Sequence, residues 1–92
     1  MHTDEYEISL ARELNHHSRI VQRTRKAIEE RRRRFGMDFV EAASAAAAGS
    51  LAITKKELAA WQEDIEALPV WEQRLEEYRE ALAAMRISAS RF

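Results

Sequence analysis

Hydrophobic positions in the first third of the chain recur in alternating steps of four and three residues. This spacing predicts a helix, over about residues 4–35, that buries one face. Asp4 is placed to cap its first turn, and Gly36 to close its last one. The stripe consists of Leu10, Leu14, His17, Val21, Thr24, Ile28, Arg31 and Phe35. Because several of these are polar, we expect a weakened coiled-coil seam whose register His17 helps to fix.

A second, more apolar seam runs along the last third of the chain. Its helix is predicted over about residues 55–86, with Thr54 as the capping residue. The seam consists of Leu58, Trp61, Ile65, Leu68, Trp71 or Glu72, Leu75, Tyr78, Leu82 and Met85. Pro69 interrupts it, and because proline removes a backbone hydrogen bond we expect a kink there. Residues 87–92 are predicted to fray.

An alanine-rich segment between the seams predicts a short helix over about residues 39–48. Asp38 precedes it as a cap and Gly49 follows it as a stop. Two long seams joined by a short helix can bury their apolar stripes by folding back on each other. The sequence therefore predicts an all-α antiparallel helical hairpin or three-helix arrangement with coiled-coil-like heptad seams, in a single domain spanning residues 1–92.

Composition supports this prediction and limits the cellular setting. The 92 residues include two glycines and one proline, which favours helices over a sheet. So short a chain buries a thin core, and we expect a homodimer or higher oligomer, or a complex with another protein. There is no cysteine, no apolar run approaches the roughly 20 residues that span a bilayer, and the first residues do not form a signal peptide. We expect a cytoplasmic protein without membrane contact.

Charge is distributed unevenly although the net charge is only −1. Residues 19–34 carry eight basic and two acidic side chains, whereas residues 55–80 carry four basic and eight acidic ones. The basic helix includes Arg31 to Arg34, and since consecutive helical residues lie about 100° apart, at most two of them can face one surface. We interpret this run as a complement to the helix dipole and to the acidic helix. Contact with a protein or nucleic acid partner stays open.

Few sequence patterns indicate a catalytic, phosphate-binding or metal-binding site. No serine lies in a Gly-x-Ser-x-Gly turn, and no glycine-rich loop is suited to hold phosphate. Glu13 and His16 have the Glu-x-x-His spacing of di-iron bundles, but such a site also needs carboxylates pointing inward from facing helices. A polar role for His17 in the seam explains this stretch more simply. We expect no enzyme activity, no cofactor, no metal and no small-molecule substrate.

Two segments in the middle of the chain follow a family-like order of motifs. RRFGMDFVEAASAAAAGSL, residues 33–51, joins a basic helix end to a Phe-Gly-Met turn and a short helix ending in glycine. ELAAWQEDIEAL, residues 57–68, places a tryptophan in an acidic helix. Over about residues 28–82 the chain resembles small helical prokaryotic proteins of the antitoxin type, often encoded beside a toxin. It departs from them in its nearly all-alanine short helix and in LAITKK, which replaces an acidic stretch. The resemblance implies a non-catalytic protein that binds and masks a partner protein.

These observations predict a non-catalytic interaction protein that masks or scaffolds a partner. The expected contact residues combine large apolar side chains with nearby cations. They are Arg31, Arg33, Arg34, Phe35, Met37, Phe39, Trp61 and Trp71. Two alternatives stay open. One is a self-assembling coiled-coil subunit, such as a phage or assembly component, and the other is nucleic-acid binding through the basic first helix.

Overall fold

A computed structural model describes residues 2–90 of the chain, and the side chains of residues 5–87. Over these residues the chain forms three helices and no strand: α1 (His2–Phe35), α2 (Phe39–Ala47) and α3 (Lys55–Ser90). Helices α1 and α3 pack against each other as a helical hairpin. The predicted all-α fold is confirmed.

The helix bounds differ from the prediction mainly at the two chain ends. Helix α1 begins at His2, so Asp4 lies inside the helix instead of ahead of it. Helix α3 continues through Pro69 to Ser90, four residues beyond its predicted end. Residues 91 and 92 of the predicted frayed end lie outside the described residues, and the kink at Pro69 stays a prediction. Among the helices of the described residues, none is long and apolar enough to cross a membrane.

Side-chain caps start the two later helices where the sequence predicted them. The carboxylate of Asp38 accepts a hydrogen bond from the backbone N–H of Glu41 at 3.0 Å. The hydroxyl of Thr54 accepts one from the backbone N–H of Glu57 at 3.1 Å. Each bond satisfies a donor that has no partner within the helix, which fixes the residue at which the helix begins.

Glycines in the left-handed conformation end the first two helices. Gly36 has a φ of 68° and its N–H donates to the carbonyl of Arg32 at 2.9 Å. Gly49 has a φ of 76°, and the next N–H, of Ser50, donates to the carbonyl of Ala45 at 2.9 Å. Other residues adopt this conformation at a cost, so both predicted stops follow from the residue type.

The chain packs as two compact units. The terminal unit contains α1 up to Gln22 and α3 from Pro69 onward, and the central unit is Arg23–Leu68. Buried side chains of the terminal unit include Leu10, His17, Val21, Leu75 and Leu82. All five belong to the apolar stripes identified in the sequence.

His17 is a polar residue in the core of the terminal unit. Its ring centroid lies 5.3 Å from that of Trp71 and 4.8 Å from that of Tyr78. Its Nδ1 lies 2.8 Å from the carbonyl oxygen of Glu13. Because a carbonyl only accepts, Nδ1 carries the hydrogen of this bond. The side chain is thus held both by ring packing and by its own helix.

An aromatic cluster forms the core of the central unit. Trp61 is 1% exposed. The ring of Phe35 is stacked on it with centroids 5.7 Å apart, and the ring of Phe39 meets it edge-on at 5.6 Å. Phe35 is the last residue of α1 and Phe39 the first of α2. The cluster therefore joins all three helices at the turn between α1 and α2.

Candidate protein-binding surface

The four consecutive arginines divide into two pairs with different surroundings. Arg31 donates from Nη1 to the Oδ2 of Asp64 at 2.6 Å, and Arg34 pairs with the carboxylate of Glu57. Both carboxylates belong to α3. Residues three apart lie on the same side of a helix, so one side of α1 carries both of these cations. The predicted pairing between the basic and the acidic helix is confirmed at these two positions.

Arg32 and Arg33 lie on the exposed part of α1. Both approach Glu29 of the same helix, Arg32 at 3.9 Å and Arg33 at 3.4 Å. The side chain of Arg33 is 77% exposed. Ion pairs between exposed side chains contribute little and exchange readily with solvent or other charges. These two cations therefore stay accessible to an external anion.

Further exposed cations extend this surface along α1 within the central unit. Lys26 and Arg33 are seven residues apart, which places them on the same side of the helix two turns from each other. We define the basic face as three exposed side chains near the end of α1: Lys26, Arg32 and Arg33. Glu29 lies among them and Glu30 beside Lys26, and both are also exposed. The face is therefore basic but interrupted by acids.

An open groove of about 490 Å³ adjoins the basic face at the end of α1. Half-buried Met37 lines it together with charged side chains of both signs. The lining residues are Glu29, Arg32, Arg33, Gly36, Met37, Asp38 and Glu41. Val40 of α2, in the same turn region, is 76% exposed. Apolar and charged groups thus meet at this corner, which we call the corner groove.

The predicted contact residues are placed differently from one another. Arg33 and Met37 line the corner groove, whereas Arg31 is committed to Asp64. Phe35 and Phe39 each contact Trp61, and Trp61 has almost no surface to offer a partner in this structure. The two remaining residues keep partial exposure. They are Arg34, which also lies over the ring of Phe35 at 4.6 Å, and Trp71, half-buried beside His17.

The Glu-x-x-His stretch serves local packing. His16 is exposed and meets the ring of His17 edge-on, with centroids 5.7 Å apart. A carboxylate oxygen of Glu13 lies 3.7 Å from Nδ1 of His17. Within the part of the chain that the structure describes, no three His, Asp or Glu side chains are grouped to hold a metal ion.

Two grooves in the described part of the terminal unit were not predicted from the sequence. One, of about 410 Å³, is lined by Tyr6, Leu10, Arg74, Glu77, Tyr78 and Ala81. The other, of about 490 Å³, is lined by Leu14, Arg79, Leu82, Ala83, Arg86 and Ile87. The spacing of positions 74, 77, 78 and 81 marks one side of a helix and was available in the sequence. The predicted seam on α3 includes position 78 but not positions 74, 77 and 81, so this side of the helix was not predicted as a groove.

Comparison with known proteins found no matching family model, no matching curated protein and no matching solved structure. The resemblance to antitoxin-type proteins stays a prediction.

Proposed function

We propose that this protein is a non-catalytic binding protein that masks or scaffolds a partner through the basic face of α1 and the adjoining corner groove. The division of the arginine run carries the proposal. Arg31 and Arg34 are held by carboxylates of α3, whereas Arg32 and Arg33 point to solvent beside exposed apolar surface. Arg32 and Arg33 take no part in the ion pairs with α3, so they are available to recognise acidic groups of a partner.

The amount of exposed surface supports association. The chain has an accessible surface of 7106 Å² at a mass of 10.7 kDa. A compact monomer of this mass exposes about 5,500 Å². The excess, about 1,600 Å², is larger than the roughly 800 Å² that one partner contributes to a standard protein–protein interface. A chain with this much surface gains stability by covering part of it.

A protein partner fits the corner better than a nucleic acid does. Glu29, Asp38 and Glu41 line the corner groove beside Arg32 and Arg33, and would repel a phosphate backbone. Met37 and Val40 add apolar contact, which suits a protein interface with a hydrophobic centre and a charged rim. We therefore propose a partner surface with an apolar centre, acidic groups opposite Arg32 and Arg33, and basic groups opposite the carboxylates of the corner groove. This agrees with the partner masking that the antitoxin-type resemblance implies.

The test is affinity capture from a nuclease-treated lysate of the protein's own host, read by mass spectrometry. The wild-type chain should retain one protein in stoichiometric amount. The double variant R32A/R33A should retain at least about tenfold less of that protein, because it lacks two charge contacts of the interface. The matched control is K55A/K56A, which removes two consecutive exposed cations of the same unit at the start of α3. Equal retention by R32A/R33A and the control would refute the assignment of this surface.

Nucleic-acid binding is the second candidate, because Lys26 and Arg33 lie on one side of α1 with Arg23 nearby. It is measured with the pure protein and a fluorescent duplex at several salt concentrations. Phosphate contacts would give an affinity that falls steeply as salt rises, and R32A/R33A would reduce that slope. Under the protein-partner proposal, no such binding occurs at physiological salt.

A further inference from the structure

We propose that a second copy of this chain docks on the groove of the terminal unit lined by Tyr6, Leu10, Arg74, Glu77, Tyr78 and Ala81, which we call the tyrosine groove. The resulting homodimer would be a two-fold pairing of hairpins, with helices of both copies packed side by side. This inference concerns a surface in the terminal unit and goes beyond the proposed function, which uses the central unit.

The tyrosine groove offers apolar contact that the chain itself leaves uncovered. Tyr6 is 61% exposed, although tyrosine carries a large apolar ring. Leu10, one turn further along α1, is buried, and Tyr78 and Ala81 on α3 are half-buried. The small side chain of Ala81 allows another helix to approach closely. An exposed aromatic ring beside a small residue is a suitable arrangement for helix–helix packing.

The charges of the tyrosine groove favour a second copy as its occupant. Arg74 and Glu77 are the charged residues that line it, and they lie three positions apart on α3. In a two-fold interface the same patch of both copies meets. If one residue of the first copy contacts a second residue of the other copy, the reverse contact forms as well. With the axis between these two positions, Arg74 faces Glu77 of the second copy, and this happens twice. The surface is therefore complementary to itself.

The other groove of the terminal unit does not have this property. The charged residues lining it are Arg79 and Arg86, both cations. Two-fold pairing there would place like charges against each other, which is unfavourable. Its apolar lining includes Leu14 and Leu82. Of the two grooves, only the tyrosine groove has lining charges of both signs.

The chain exposes more surface than a compact monomer of its mass, which leaves room for a dimer interface. A standard interface buries about 800 Å² from each partner. The surface excess of the chain over a compact monomer, about 1,600 Å², is enough for this interface and for a separate partner surface in the central unit. Two helical hairpins commonly pair into a bundle of four helices, which covers apolar surface of both copies.

The first experiment measures the monomer–dimer equilibrium of the pure full chain by analytical ultracentrifugation. Wild type should be dimeric at about 100 µM. Y6S should raise the dissociation constant at least about tenfold, because it removes the aromatic ring. I8S is the matched control: Ile8 is also exposed, at 53%, but lies about 200° around α1 from Tyr6. It should dimerise like the wild type.

The second experiment exchanges the charges. R74E and E77R should each raise the dissociation constant about tenfold or more, because each places like charges together twice. The double variant R74E/E77R restores opposite charges and should return to within about threefold of wild type. Circular dichroism of each variant verifies that the helices are retained.

Three outcomes would overturn the proposal. They are a wild-type monomer throughout the concentration range, equal effects of Y6S and I8S, and a double charge variant that is no better than the single ones. R32A/R33A should dimerise normally. Failure of the dimer and failure of partner binding are therefore seen in separate measurements.

Discussion

At the scale of single residues, two adjacent histidines show how position on a helix decides a side chain's role. His17 is buried against Trp71 and Tyr78 and bonded to the carbonyl of Glu13. His16 is exposed. The heptad pattern in the sequence already favoured His17 as the inward residue. The ring contacts could not be deduced, because they depend on which turn of α3 lies beside it.

We predict that H17A lowers the free energy of unfolding by about 2–3 kcal/mol, since it removes ring packing and a buried hydrogen bond. H16A, the matched control, should change it by less than about 0.5 kcal/mol, as expected for an exposed position. Urea unfolding followed by circular dichroism measures both. Similar values for the two variants would show that His17 does not hold the terminal unit together.

At the scale of helices, the ends are the most predictable part of the fold. Most of the predicted caps and stops are found at the predicted positions, because a cap or a stop uses only residues within one turn. The caps are Asp38 and Thr54, and the stops are Gly36 and Gly49. The start of α1 was predicted less well. Helix α1 begins at His2, ahead of Asp4. A carboxylate stabilises a helix from its first turn as well as from the capping position, so Asp4 alone did not fix the start.

Helix termination by glycine can be tested without a packing change. A Cβ at Gly36 or Gly49 would have no atom within 4 Å, so alanine meets no obstruction there. The cost of G36A then comes only from holding alanine in the left-handed backbone conformation. We predict a loss of about 1 kcal/mol in the free energy of unfolding. G36N should cost less, since asparagine tolerates this conformation better. Urea unfolding that shows no loss for G36A would contradict a left-handed Gly36.

At the scale of the whole chain, contacts distant in sequence decide what the surface presents. Geometry alone showed that at most two consecutive arginines can face one way. It did not show which two, because Arg31 and Asp64 are 33 positions apart. Likewise, Trp61 and Trp71 looked equivalent as seam residues, but Trp61 is in the aromatic cluster and Trp71 lies beside His17. The candidate site could be predicted only as a region, and the structure separates the two arginines that pair with α3 from the two that pair only within α1.

That separation is the central claim, and one comparison tests it most directly. R31A/R34A and R32A/R33A remove equal charge from the same four-residue run. For each, the thermal midpoint is measured together with retention of the captured partner protein. R31A/R34A should lower the midpoint by about 4–8 °C for each kcal/mol of lost stability, with about 1–2 kcal/mol lost in all. R32A/R33A should keep the midpoint and lose the partner. If both variants lose stability alike, or both keep the partner, the arginine run is not divided between the fold and a binding surface.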